Sequence, residues 1–172
     1  MFIAQTRTAL DRLLAEIALA ARAPLASRHA AVAEVLGEAM ADPQLLLGRH
    51  LPGRAEGYTR HLLQADPAGE YAVVALVWRP GQMSPVHAHR TWCALGIHGG
   101  VLTESFYALE EGGDPVPAAA FLRRPGETSH GPADPKLVHR LANLGCRDAL
   151  SIHVYGVSFD RFGDGVNLVY AH

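Results

Sequence analysis

The sequence predicts an all-β barrel or sandwich with a short α-helical layer at its N-terminal end, in a single domain. Three observations lead there. From residue 51 onward, Gly and Pro punctuate a run of short β-branched and aromatic segments, the pattern of closely spaced strands. Before that point, apolar residues recur at helical spacing instead. The length, 172 residues, suits one hydrophobic core and is short for two domains.

In order along the chain, Ala9, Leu10, Leu13, Leu14, Ile17, Ala18 and Ala21 form the apolar stripe of a first helix, stopped by Pro24. Ser27 is the expected cap of a second helix, whose buried stripe is Ala30, Val32, Val35, Leu36 and Met40 and whose end lies at Asp42 and Pro43. A helical turn over 45–47 completes a layer spanning residues 1–48. Strands are expected at 58–63, 71–78, 84–89, 94–98, 101–107, 119–122, 138–142, 149–155 and 166–170, so that 51–170 is the barrel. The acidic, Gly-rich stretch from Glu110 to Pro115 reads as a solvated hairpin loop.

Composition excludes several functions. Hydrophobic residues at 49% and charged residues at 19% are ordinary for a folded domain. Fifteen basic against 17 acidic residues give a net charge of -2, with no electrostatic case for a nucleic acid or membrane partner. The longest apolar run, 71–78, has eight residues, against the ~20 that span a bilayer. Arg7 and Asp11 interrupt any early apolar stretch, so no secretory signal is legible. Two cysteines, Cys93 and Cys146, are too few for a disulfide framework, and a cytoplasmic location is expected. Ten histidines direct attention to metal.

His87 and His89 flank Ala88 on an expected strand, where alternation turns both imidazoles to one face. Counted onward, Thr91 and Cys93 fall on that face as well. Five residues separate Gly81 from His87, three separate His89 from Cys93, and six separate Cys93 from Gly100. This spacing resembles the first motif of the cupin superfamily, in which the Cys93 position is most often a glutamate that joins the metal. The second cupin motif resembles Pro125-Gly126 followed by His139 and Asn143. His130 competes as third ligand, but it sits among Gly131, Pro132 and Pro135 in an expected loop, whereas His139 lies on an expected strand. His87, His89 and His139 would make a facial three-histidine set without carboxylate, leaving up to three coordination positions open. Neutral ligands leave the ion its full divalent charge, which favours an anion such as a thiolate.

A cupin with cysteine at the glutamate position resembles the thiol dioxygenases, and further residues agree. Ser151, His153 and Tyr155 alternate on one strand, as the family's Ser-His-Tyr relay does. Tyr58 and Arg60 resemble the segment that holds the family's substrate-binding arginine, and Trp78, Gly81-Gln82 and Pro85-Val86 resemble its run into the first histidine. Over about residues 51–170 the chain is similar to bacterial cysteine dioxygenases of the cupin type. The resemblance implies a double-stranded β-helix (jelly-roll barrel) and an iron(II) cofactor on His87, His89 and His139. It implies a small thiol and O2 as partners, with L-cysteine oxidised to cysteine sulfinic acid. Arg60, with Tyr58, would bind the substrate carboxylate, and Ser151, His153, Tyr155 and Cys93 would be catalytic.

In the family, arginine at this position accompanies cysteine and glutamine accompanies 3-mercaptopropionate, which stays open as a substrate here. A zinc or manganese cupin acting as an isomerase or hydrolase, and a non-catalytic small-molecule sensor, stay open too. Two departures concern Cys93. Mammalian members carry one more residue before this cysteine and link it to the relay tyrosine by a thioether. Many bacterial relatives have a Trp-Gly pair where this chain has Trp92-Cys93. The remaining histidines, His29, His50, His61, His98 and His172, are expected to be structural or solvated. So is Cys146, in a turn after Gly145.

Overall fold

The computed structural model describes residues 7–170; His172 lies outside them. The described residues form two helices, α1 (Ala9–Ala20) and α2 (Leu25–Met40), followed by ten strands. These are β1 (Thr59–Ala65), β2 (Ala72–Trp78), β3 (His87–His89), β4 (Cys93–Gly99) and β5 (Leu102–Leu109), then β6 (Pro115–Arg123), β7 (Thr128–Gly131), β8 (Val138–Ala142), β9 (Ala149–Tyr155) and β10 (Asn167–Val169). No helix among the described residues is long and apolar enough to cross a membrane.

α1 begins with a capping box. The Thr8 hydroxyl accepts from the Asp11 amide at 3.1 Å, and the Asp11 carboxylate accepts from the Thr8 amide at 2.9 Å. α2 starts two residues before Ser27, which is therefore not its cap. The Pro24 carbonyl accepts from the amides of Ser27 and Arg28 and from the Ser27 hydroxyl, so that hydroxyl is turned back as a donor inside the first turn.

All strand pairs are antiparallel, in two five-stranded sheets of order β1-β2-β9-β4-β7 and β10-β3-β8-β5-β6. This is the double-stranded β-helix of the cupins. α1 and α2 cover the outer face of the first sheet, where Leu36 and Met40 share a core with Val73, Ala94, Ile152 and Val154. Alternate residues of the same strands, Val74, Leu76, Trp78, Cys93, Leu95 and Ile97, fill the barrel with Leu102 and Leu141 of the second sheet. β2 is buried along its whole length because both of its faces are covered.

Three strands differ from expectation. β3 is shorter than 84–89 because Pro85 has no amide to continue the ladder, although Ser84 still donates to Leu141 at 2.8 Å. β6 is longer than 119–122, extending back through Pro117 and Pro115 on a sheet edge, where proline is tolerated. β7 was not expected: its four residues show no apolar alternation, and it forms by pairing with β4 at an edge of the first sheet.

Gly96 of β4 lies where α2 comes closest, and a Cβ there would sit 2.6 Å from Met40 Cγ. Gly96→Ala should therefore overpack this contact and cost about 1–3 kcal/mol. The measurement is the urea midpoint at unchanged m-value; an unmoved midpoint would refute close packing of α2 on β4.

Candidate active site

The second sheet brings three histidines together. Alternation on β3 aims His87 and His89 to one side, and the β3–β8 register sets His139 directly opposite His87. One ring nitrogen from each lies within 4.8 Å of the others, and no other such group of three His, Cys, Asp or Glu occurs among the described residues.

Hydrogen bonding fixes two of the rings. His87 Nδ1 lies 3.0 Å from the Pro85 carbonyl, which can only accept, so this nitrogen carries the proton. His139 Nδ1 likewise donates to Glu104 Oε1 at 2.9 Å. A ring that carries its proton at Nδ1 binds metal through Nε2. His139 Nε2 is buried with no partner, and His87 Nε2 lies 3.2 Å from His89 Nε2. Burial, then the nearby His139, pushes His87 down to about 3 and His89 well below the ordinary histidine range. His87 and His89 are thus held in the neutral form that binds metal. Three converging ring nitrogens, one of them buried with no protein partner, fit a divalent cation.

Glu104 was not among the residues singled out from sequence. It is fully buried on β5 and accepts from His139 Nδ1, from Arg123 Nε at 2.7 Å and from Ser129 Oγ at 2.9 Å. Burial alone would raise its carboxyl; the hydrogen bond from His139, the Arg123 charge and the Ser129 hydroxyl outweigh that and hold it below the ordinary glutamate range. The carboxylate stands behind His139 rather than in the donor set. Its signal was available: Glu104 alternates with the buried Leu102, an ionisable residue at an inward strand position.

On the facing sheet, β9 carries Ser151, His153 and Tyr155 in one buried chain of hydrogen bonds. Ser151 Oγ lies 2.9 Å from His153 Nε2, and His153 Nδ1 lies 3.0 Å from the Tyr155 hydroxyl. The Trp78 indole sets the direction. Its N–H can only donate, and it does so to Ser151 Oγ at 2.9 Å. The Ser151 hydroxyl then donates to His153 Nε2, His153 Nδ1–H donates to the Tyr155 oxygen, and the Tyr155 proton is left to point elsewhere. Burial, then the Arg60 charge, keeps His153 neutral as this requires. Burial also raises the Tyr155 phenol, so it stays protonated. Its ring meets that of His89 edge-on at 5.6 Å.

Tyr58 stacks on Trp78 at 4.4 Å, and its hydroxyl accepts from Arg60 at 3.0 Å. Both line one narrow cleft, of about 10 Å³, together with the three histidines, His153 and Tyr155. Cys93 reaches the cluster from the other side. The face count along 87–93 does not describe it, because β3 and β4 belong to different sheets. The chain crosses over at 90–92, and Thr91 turns away to donate to the Gly156 carbonyl at 2.6 Å. Cys93 lies directly opposite Tyr155 in the β4–β9 pairing and lines a second cavity of about 50 Å³ with His89 and His139. Burial, then the Glu104 charge, holds its thiol well above the usual range.

His130 is on β7 rather than in a loop, and it lies outside the cluster, its Nδ1 2.9 Å from that of His29. His61 and His98 bond to the carbonyls of Pro52 and Met40. Asn143 is buried and donates to the carbonyls of Trp78 and Arg147, pinning its own turn. Gly126, at φ 89, completes the Pro125-Gly126 turn that closes between Arg124 and Glu127.

Glu104→Gln should lower metal affinity about 10–100-fold by loosening the orientation of His139. Competition against a graded chelator measures this, and unchanged affinity would show that the carboxylate does not position the ligand.

The family model for cysteine dioxygenase type I matches residues 53–163. Among solved structures, a protein of Thermus thermophilus is similar at 18% identity, over 62% of this chain and 90% of that one, with a TM-score of 0.49. A Klebsiella pneumoniae protein with a double-stranded β-helix domain is similar at 16% identity, over 71% and 91%, with a TM-score of 0.49. A sugar phosphate isomerase of the cupin superfamily from Silicibacter pomeroyi is similar at 20% identity, over 64% and 68%, with a TM-score of 0.47. The family match covers more than half of the chain and runs from before Tyr58 to beyond Tyr155, and the chain belongs to the cysteine dioxygenase type I family.

Proposed function

We propose that the protein is an iron(II)-dependent thiol dioxygenase that oxidises L-cysteine with O2 to cysteine sulfinic acid, both oxygen atoms going to sulfur. The observation that carries this reading is the pairing of a carboxylate-free three-histidine cluster with a phenol whose proton is directed outward by its own relay. His87, His89 and His139 would hold the ion, His87 and His139 through Nε2 as their Nδ1 bonds favour. Iron(II), when bound, supplies thiol deprotonation at neutral pH and electrons for O2.

The chain's own residues supply the rest. Arg60 binds the substrate carboxylate, a charge-assisted contact worth about 1.5–3 kcal/mol, and so orients the sulfur. Arg60 is exposed and, among the described residues, held only by Tyr58, so it can swing outward to admit a substrate to a cleft this narrow. Tyr155 donates a hydrogen bond into the cleft, and His153 and Ser151 keep its proton on that side. The same carboxylate grip suits 3-mercaptopropionate, so the two thiols are compared directly.

The test is anaerobic loading with iron(II), followed by O2 uptake with L-cysteine, 3-mercaptopropionate and cysteamine. L-Cysteine should be turned over best and yield the sulfinic acid; no uptake with any thiol would overturn the reading. Arg60→Ala should raise KM for cysteine roughly 10- to 100-fold while leaving cysteamine, which lacks a carboxylate, nearly unaffected. Equal losses on both would make Arg60 structural.

Cys93→Gly should keep activity within about tenfold, ~1.4 kcal/mol in barrier, because Cys93 stands behind the cluster rather than in the cleft. Tyr155→Phe should lose more. Intact mass after turnover reports a thioether as a loss of two hydrogens. A dead Cys93→Gly enzyme with iron still bound would refute dispensability.

A further inference from the structure

On the outer side of the β3–β4 crossover lies a groove of about 760 Å³ that shares no lining residue with the cleft. We propose that it is a binding site for a small organic anion, an oxyanion head on an apolar body, recognised by Arg90, Arg161 and the Trp92 indole.

The charge is unbalanced there. Arg28, Arg90 and Arg161 line the groove against a single acid, Glu70, which is 4.0 Å from Arg28. Arg90 spends only its Nε, on the Asn167 carbonyl, and its terminal nitrogens have no carboxylate partner among the described residues. The Arg161 side chain makes no hydrogen bond or ion pair among the described residues, and it is exposed. Asp164 borders an adjoining depression that shares Arg90 and Arg161, so cations still outnumber acids, in a chain whose net charge is -2. Two free guanidinium groups on one rim suit a bidentate oxyanion.

Trp92 is the second, independent observation. Trp92 is 4% exposed, yet its indole N–H donates to no group among the described residues. Trp92 lines the groove, and its indole nitrogen lies against Gly156, which lines the same groove. Gly156 packs against the indole so closely that a Cβ would collide with the nitrogen, which fixes the ring in place. An indole N–H can only donate, and an anion supplies the missing acceptor. Leu25, 68% exposed, and Val157 provide an apolar wall for the rest of the ligand. The start of α2 borders the same groove without a side-chain cap, adding the positive end of a helix dipole.

The site's position gives occupancy a consequence. Residues 90–92 join His89 on β3 to Cys93 on β4, and Gly156 follows Tyr155. A ligand held by Arg90 and Trp92 braces the segment between two strands of the active site. The binding itself does not depend on the reaction carried out there.

The experiment is a fluorescence titration of the whole protein with 8-anilinonaphthalene-1-sulfonate. N-Phenyl-1-naphthylamine, the same apolar body without the anion, is the control. Saturable one-to-one binding of the sulfonate is expected, with the neutral analogue at least tenfold weaker. Arg161→Glu, at an exposed side chain without partners, should weaken the sulfonate at least tenfold, and Arg161→Lys should restore most of it. Trp92→Phe should weaken it several-fold, and Arg60→Ala should leave it unchanged. Equal binding of the neutral analogue, or affinity lost in Arg60→Ala and kept in Arg161→Glu, would overturn the proposal. So would binding that never saturates.

Discussion

The hydrogen bond from His139 Nδ1 to the buried Glu104 carboxylate, 2.9 Å long, is the contact on which the rest of the site depends. It selects the tautomer that leaves Nε2 as a lone pair, and it orients the ring toward His87 and His89. Ser129 and Arg123 bind the same carboxylate from β7 and β6, so the edges of both sheets converge on the group that holds one histidine. An ionised, partnered acid inside a barrel costs heavily in desolvation and is tolerated only with such complete hydrogen bonding. Breaking one partner would leave the others unpaired.

The two sheets contribute different chemistry. The second sheet, through β3 and β8, carries the histidines and their fixed lone pairs. The first, through β1, β2 and β9, carries the organic side of the cleft: the Arg60 cation, the Tyr58–Trp78 stack and the relay that ends at Tyr155. Trp78 links these functions, stacking on Tyr58 with its ring face while its N–H fixes the direction of the relay. The helical layer stands outside this arrangement and buries the outer face of the sheet that bears the relay.

Much of this was legible in the sequence because it follows from period-two alternation. His87 with His89, and Ser151 with His153 and Tyr155, are pairs and triples that alternation alone turns to a common side. What escaped depends on contacts between distant segments. Glu104 gains its role only when β5 lies beside β8, and β7 exists only as a partner of β4. Counting through 90–92 puts Cys93 on the histidine face, but the chain changes sheets there; Cys93 arrives near the site by pairing with Tyr155 instead. Ser27 has the chemistry of a cap, but the backbone enters the helix earlier, at Pro24.

On the proposed reading, His87, His89 and His139 hold iron(II) without a carboxylate ligand, and the substrate thiolate joins them. Iron K-edge X-ray absorption on the anaerobically loaded protein, before and after addition of L-cysteine, tests it most directly. One iron per chain with scattering from three imidazoles is expected, and a new sulfur shell when cysteine is added. A carboxylate oxygen in place of an imidazole, or no sulfur shell at saturating cysteine, would contradict it.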